Sequence, residues 1–218
     1  MCALYRNPHI KGFTTNPTLM RKAGICDYEA FAREVLAAIP DRPISFEVFS
    51  DDFREMEKQA IKIAGWGNNV YAKIPVTNTH GKSAAQLICR LSQRGVKLNV
   101  TALLTLEQVE EVSRAMRGCP GGYISVFAGR IADTGRDPVP IMREAVEMIA
   151  DAGNLELIWA SPRELLNVFQ ADAIGCHVIT ATHNILEKLA LVGKDLDEYS
   201  LDTVKMFRND AVSAGFAL

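Results

Sequence analysis

The strongest constraint on the fold of this chain is an alternation. Short runs rich in β-branched and aromatic residues are separated by longer stretches of helical apolar period. The strand-like runs are Ile10–Thr15, Ile44–Phe49, Asn69–Thr77, Leu98–Leu103, Tyr123–Ala128, Leu155–Ala160 and Cys176–Thr182. A helix is predicted from about Tyr28 to Ile39, where Phe31, Val35, Leu36 and Ile39 share one stripe. Ser50-Asp51-Asp52 caps the next, which runs to about Ala64, and another spans Ser83 to Arg94 and stops at Gly95. Thr105 opens a further helix, with Gln108 three residues on as a capping box. Helices follow over Pro138–Ala152 and about Pro162–Ala173, and two helical stretches, near His183–Val192 and Ser200–Ala214, finish the chain. Asn16-Pro17 reads as a turn and Arg130–Asp137 as a polar loop.

Strands alternating with helices build right-handed βαβ units and a parallel sheet. With 218 residues the chain has the length of one such domain. The expected fold is therefore α/β, a (β/α)8 TIM barrel forming a single domain over residues 1–218. Seven strand candidates are present where closure needs eight, and the absent one belongs at the start, because Met1–Asn7 reads as the end of a helix leading into Gly12. A barrel open there leaves unpaired backbone groups on two strands, which predicts low solubility or unusual oligomers.

Lys plus Arg total 24 against 26 for Asp plus Glu, a formal net charge of −2, so no basic field is available for nucleic acid or an anionic membrane. No apolar run approaches the ~20 residues of a membrane span, and the N-terminus lacks the regions of a signal peptide. The five cysteines, Cys2, Cys26, Cys89, Cys119 and Cys176, are scattered without a Cys-x-x-Cys pair, which fits a reducing cytoplasm. His9, His80, His177 and His183 lack metal-ligand spacing. No metal or cofactor is expected.

Lys73 lies inside a run that otherwise reads as a buried strand. A buried ammonium costs free energy unless it is paired or deprotonated. A neutral amine attacks carbonyl carbon, so a barrel-strand lysine is a candidate for Schiff-base chemistry. The plainer alternative is a lysine at a strand end that snorkels to water. Active sites of such barrels lie at the C-terminal strand ends. The polar residues there are Thr14, Asn16, Glu47, Asn99, Thr101, Ser125, Arg130, Ser161 and Arg163. Each also has an ordinary reading: Glu47 in a structural ion pair, Asn16-Pro17 as a turn, Ser161-Pro162-Arg163 as a helix start, Arg130 and Asp133 as loop charges holding each other. Taken jointly, one buried Lys, one buried Glu and two nearby Arg suit carbonyl chemistry on a phosphorylated substrate.

Five segments carry a resemblance. Gly12-Phe13-Thr14-Thr15-Asn16-Pro17-Thr18-Leu19 resembles the GVTTNPSL motif of transaldolases, and Ala72-Lys73-Ile74-Pro75-Val76-Thr77 their VKIPxT strand. Gly95–Leu103 resembles GIxxNxTLxFS, Ser125–Asp133 resembles SPFVGRxxD, and Ser161-Pro162-Arg163 stands where the family has Ser-Phe-Arg. Order and spacing hold from residue 12 to the C-terminus. The resemblance implies that Lys73 forms a Schiff base with a ketose phosphate and that retro-aldol cleavage leaves a dihydroxyacetone unit for transfer to an aldose phosphate. The implied substrates are of the fructose 6-phosphate, erythrose 4-phosphate and sedoheptulose 7-phosphate class, in the pentose phosphate pathway. It further implies that Glu47 works through an ordered water near Thr101, and that Asn99 and Ser125 hold sugar hydroxyls. Arg130, Ser161 and Arg163 would bind phosphate, while Thr14, Asn16 and Phe127 line the pocket. Ring-like decamers built through the C-terminal helix are implied as well.

The superfamily also contains fructose-6-phosphate aldolases, which favour Gln where Glu47 stands and Tyr where Phe127 stands; both positions point to the transferase. One departure concerns proton transfer. The family's acid/base is an Asp at the end of its first strand, in a segment like FxDxA, and no such segment occurs here. The earliest acidic residue, Asp27, is in another element. The alternative expectations are a fructose-6-phosphate aldolase-type lyase or, from the absent Asp, a catalytically impaired sugar-phosphate-binding subunit.

Overall fold

A computed structural model of the chain describes residues 1–216. The chain divides into two compact units, Met1–Ala181 and a shorter one beginning at Thr182.

The first unit is a seven-stranded sheet of parallel strands in sequential order. The strands are β1 (Phe13–Thr14), β2 (Ile44–Glu47), β3 (Val70–Pro75), β4 (Leu98–Leu103), β5 (Gly122–Val126), β6 (Leu155–Trp159) and β7 (Val178–Ile179). The helices are α1 (Cys2–Tyr5), α2 (Pro17–Lys22), α3 (Tyr28–Ala38), α4 (Phe53–Ala64), α5 (Ala85–Gln93), α6 (Leu106–Ala115), α7 (Ala128–Asp133), α8 (Val139–Ile149) and α9 (Leu166–Ala173). The α/β class and the parallel strands agree with expectation. A closed eight-stranded barrel is not what the described residues form, since β1 pairs with β2 alone and β7 with β6 alone.

Period-two alternation sorts the strands into two faces. Ile44, Phe46, Ala72, Ile74, Leu98, Val100, Ile124, Val126, Leu157 and Trp159 form one buried apolar face. Helices α4, α6 and α8 pack on these strands. The other face carries Ser45, Glu47, Lys73, Asn99, Thr101 and Ser125, which places the polar candidates side by side.

The two terminal strands are shorter than the predicted Ile10–Thr15 and Cys176–Thr182, for local reasons. Phe13 N–H donates to the Pro43 carbonyl at 2.9 Å. Pro43 has no N–H to return to the preceding β1 carbonyl, so the ladder starts at Phe13. At β7, the His177 Nδ1 accepts the Leu157 N–H at 3.2 Å and displaces a backbone partner.

Two short helices replace segments read as turn and loop. Asn16 caps α2 by accepting from Leu19 N–H at 2.8 Å, with Pro17 in the first turn where its missing N–H costs nothing. Helix α7 forms directly after Phe127 without a side-chain cap, which is why no capping signal marks it. Asp27 caps α3, accepting from Ala30 N–H.

The second unit contains α10 (His183–Glu187), a 3₁₀ turn at Lys188–Leu191 and α11 (Leu196–Ser213). Helix α11 starts earlier than the predicted Ser200 because the Asp195 carboxylate accepts from the N–H groups of Asp197 and Glu198. No described residue of α11 is buried.

Candidate active site

Lys73 sits in the middle of β3 and is 7% exposed. Its Nζ donates to the Thr15 carbonyl at 3.0 Å and lies 3.1 Å from Glu47 Oε2. The snorkelling alternative is thereby excluded. Strand register explains the pairing, because Glu47 at the end of β2 lies directly opposite Lys73. Glu47 Oε2 is outside hydrogen-bond geometry despite that distance, so the attraction is one of charge.

Beside this pair runs a row of buried polar side chains. Ser125 Oγ donates to Asn99 Oδ1 at 2.8 Å, and Asn99 Nδ2 donates to Ser45 Oγ at 2.9 Å. The row joins β5, β4 and β2 across the face that carries Lys73. Asn99 is opposite Lys73 in the register. The Thr101 hydroxyl, on the same face, has no hydrogen-bond partner among the described residues. A buried hydroxyl in that state is stabilised by whatever polar group meets it.

Beneath Lys73 lies a contact that sequence reading missed. Thr15 Oγ1 donates to the Ser45 carbonyl at 3.0 Å and lies 3.0 Å from the Tyr28 hydroxyl. Since the threonine hydrogen is committed to Ser45, the phenol donates to Thr15. The same phenol oxygen accepts the Glu47 N–H at 2.8 Å. Burial raises the Tyr28 pKa above the ordinary phenol value, which keeps the donor proton in place. Ser45 could have been found from its position two residues before Glu47, on the same side of the pleat. Tyr28, on a helix, carries no local signal.

The other predicted residues have contacts of their own and no hydrogen bond to the Lys73 group. Thr14 is opposite Ser45 in the β1–β2 register. Asn16 spends its side-chain oxygen on the α2 cap. Phe127 follows β5, and the Arg130 guanidinium stands over its ring at 5.5 Å. Ser161 adopts a left-handed backbone, φ 56°, right after β6. Its carbonyl approaches Gly129 so closely that a Cβ there would lie 1.6 Å from the oxygen. Arg163 is held by Asp133, with Nε to Oδ1 at 2.8 Å and a second contact from Nη2 to Oδ2. The ordinary alternative that paired Arg130 with Asp133 gives way to an Arg163–Asp133 fork. That guanidinium holds the Asp133 carboxyl below the usual carboxylate range.

A second left-handed residue, Ala102 at φ 67°, marks the register shift of β4 against β5 between Val100 and Leu103. Strained backbone next to Thr101 is the kind of feature that gathers at functional strand ends. Among the described residues no group of three or more His, Cys, Asp or Glu could hold a metal ion, and no helix is long and apolar enough to cross a membrane.

Comparison with known proteins bears on this geometry. A "Probable transaldolase" of Dehalococcoides mccartyi is 33% identical over 183 residues, covering 83% of this chain and 80% of that protein. A "Probable transaldolase" of Desulforamulus reducens is 33% identical over 205 residues, covering 90% and 88%. Among solved structures, a mandelate oxidase mutant superposes with a TM-score of 0.52 at 16% identity, covering 76% of this chain and 55% of that one. The chain spans about half the length of that structure, and the likeness is one of fold alone. The model of the family described as "Transaldolase/Fructose-6-phosphate aldolase" matches residues 1–218. An aldolase-type function accords with these relatives and with the polar strand ends, and the chain belongs to the transaldolase/fructose-6-phosphate aldolase family.

Proposed function

We propose that this protein is a transaldolase that moves a dihydroxyacetone unit between sugar phosphates through a Schiff base on Lys73. The observation that carries the reading is the buried Lys73 amine set between Glu47 and the Thr15 carbonyl, beside the Ser45–Asn99–Ser125 row. Lys73 Nζ attacks the C2 carbonyl of a ketose phosphate and, with loss of water, forms an imine. Removal of the C4 hydroxyl proton breaks the C3–C4 bond, and the electron pair collects on the protonated imine as an enamine. An aldose phosphate leaves. The enamine then adds to the aldehyde carbon of a second aldose phosphate, and water releases the new ketose from Lys73.

Glu47, with Thr101 beside it, relays protons through water. Asn99 and Ser125 hold the hydroxyls of the three-carbon unit, and Thr14, Asn16 and Phe127 wall the pocket. Arg130, Ser161 and Arg163 take the phosphate, a role suited to a guanidinium fork. Fructose 6-phosphate, erythrose 4-phosphate and sedoheptulose 7-phosphate are the substrate class, in cytoplasmic pentose phosphate metabolism. The five free cysteines support the reading of a reducing compartment. The exposed apolar residues of α11 support a homo-oligomer, of which a decamer is one form.

Borohydride added with fructose 6-phosphate is expected to fix an adduct on Lys73, located by peptide mass, and Lys73→Met is expected to abolish it. No adduct, or one on another lysine, overturns the reading. Release of free dihydroxyacetone without an acceptor aldehyde would identify an aldolase instead. An adduct without turnover would identify a sugar-phosphate-binding subunit.

A further inference from the structure

The end of the β1–β2 ladder is rerouted in a way that bears on Lys73. Parallel pairing proceeds regularly through Phe13 N–H to the Pro43 carbonyl at 2.9 Å and Thr15 N–H to the Ser45 carbonyl at 3.0 Å. The next bond of such a ladder runs from Glu47 N–H to the Thr15 carbonyl. Here the Glu47 N–H donates to the Tyr28 phenol at 2.8 Å instead, and the Thr15 carbonyl accepts from Lys73 Nζ at 3.0 Å. The phenol stands in for a strand carbonyl, and the carbonyl it releases becomes a ligand of the amine.

We propose that Tyr28 is a positioning residue for Lys73. It withdraws the Glu47 N–H from the ladder, fixes the Thr15 side chain, and so aims the Thr15 carbonyl and the Glu47 carboxylate at one Nζ. Without the phenol oxygen, the buried Glu47 N–H would need another acceptor, and the Thr15 carbonyl is the one the ladder geometry offers. Lys73 would then lose one of its two anchors. The ring itself is set by edge contacts with Phe46 at 6.0 Å and Phe49 at 4.6 Å, so the hydroxyl direction is fixed by packing.

The inference rests on Lys73 being the reacting amine, and its test separates the two claims. Tyr28→Phe keeps the ring and removes only the oxygen. In single-turnover borohydride trapping with saturating fructose 6-phosphate, the variant is expected to label Lys73 about tenfold more slowly. The final amount trapped and the half-saturating sugar concentration are expected to stay at wild-type values. A purely structural role would lower the amount trapped or the melting temperature and leave the rate unchanged, which would overturn the proposal. If the wild-type protein gives no Lys73 adduct, the Schiff-base reading falls, and the crystal structure of the variant decides the positioning claim. There the Glu47 N–H is expected on the Thr15 carbonyl; a Lys73–Thr15 contact kept at its wild-type length overturns it. Should Tyr28→Phe fail to fold, 3-fluorotyrosine at position 28 keeps the bonds while weakening the acceptor. It is expected to slow the same step by a smaller factor, and an unchanged rate again overturns the proposal.

Discussion

Lys73 was conspicuous in the sequence because an ammonium in an apolar run demands a partner, and Glu47 was conspicuous for the same reason. Their meeting follows from strand register, which side-chain type does not encode. The partners that were invisible are of another kind. The Thr15 carbonyl is backbone, and Tyr28 reaches the site from a helix, so neither leaves a pattern of spacing. Arg163 shows the converse, since the ordinary alternative paired Asp133 with its neighbour Arg130 and the hydrogen-bonded partner is Arg163, thirty residues on. Both Arg163 and Asp133 are about half exposed, so their pair adds little to stability, while it does fix the guanidinium plane. Asp133→Asn is therefore expected to leave the melting temperature near wild type at neutral pH. The half-saturating concentration of sugar phosphate should rise roughly three- to tenfold, on the usual strength of an oriented charge-assisted contact. Because the folded-state Asp133 pKa is lowered, any stability it contributes is present above the ordinary carboxylate range. It is lost as pH falls through the lowered value. Thermal melts of the two proteins at pH 7 and at pH 3 would check the sign.

At the scale of elements, the central strands were legible because β-branched runs bounded by polar turns have no competing reading. Their ends were not. Pro43 and His177 each interrupt a ladder, one by lacking an N–H and the other by offering a ring nitrogen, and both effects require knowing which strand is adjacent. Helix α7 was missed because it has no cap. What holds it is the approach of its backbone to the turn after β6. Gly129 N–H donates to the Ala160 carbonyl at 3.3 Å, and the Ser161 carbonyl occupies the space a Cβ would need. Gly129→Ala must push two backbone segments apart. The expected cost is about 3 kcal/mol or more, on the scale of overpacking between backbones. Chemical denaturation should show a lower midpoint, with sugar-phosphate affinity lost together with it, since Arg130 and Arg163 lie on either side of the contact. A midpoint within error of wild type would mean the turn yields freely.

For the whole molecule, the most telling feature is α11. Its 18 residues include Leu196, Leu201, Val204, Met206, Phe207 and Val212, all exposed, with Phe207 at 64%. A solvated helix does not ordinarily carry this much apolar surface, and covering it with further copies of the chain is the proposed resolution. Phe207→Glu is expected to reduce the particle mass measured by light scattering after size exclusion. Single-turnover labelling of Lys73 should persist in the smaller species if the site is complete within one copy. An unchanged mass would place the interface elsewhere.

The order of elements, the parallel sheet and the presence of one lysine inside a buried strand were determined by the sequence itself. Each depends on local period or on the cost of burying a single charge, and both are written residue by residue. Tertiary structure alone decided which groups surround that lysine. Register brings Glu47 and Asn99 opposite it, and a phenol from α3 takes the Glu47 N–H while the Thr15 carbonyl accepts from Nζ. These are meetings between residues far apart in the chain. Packing geometry fixes them, and no local pattern of side chains records it.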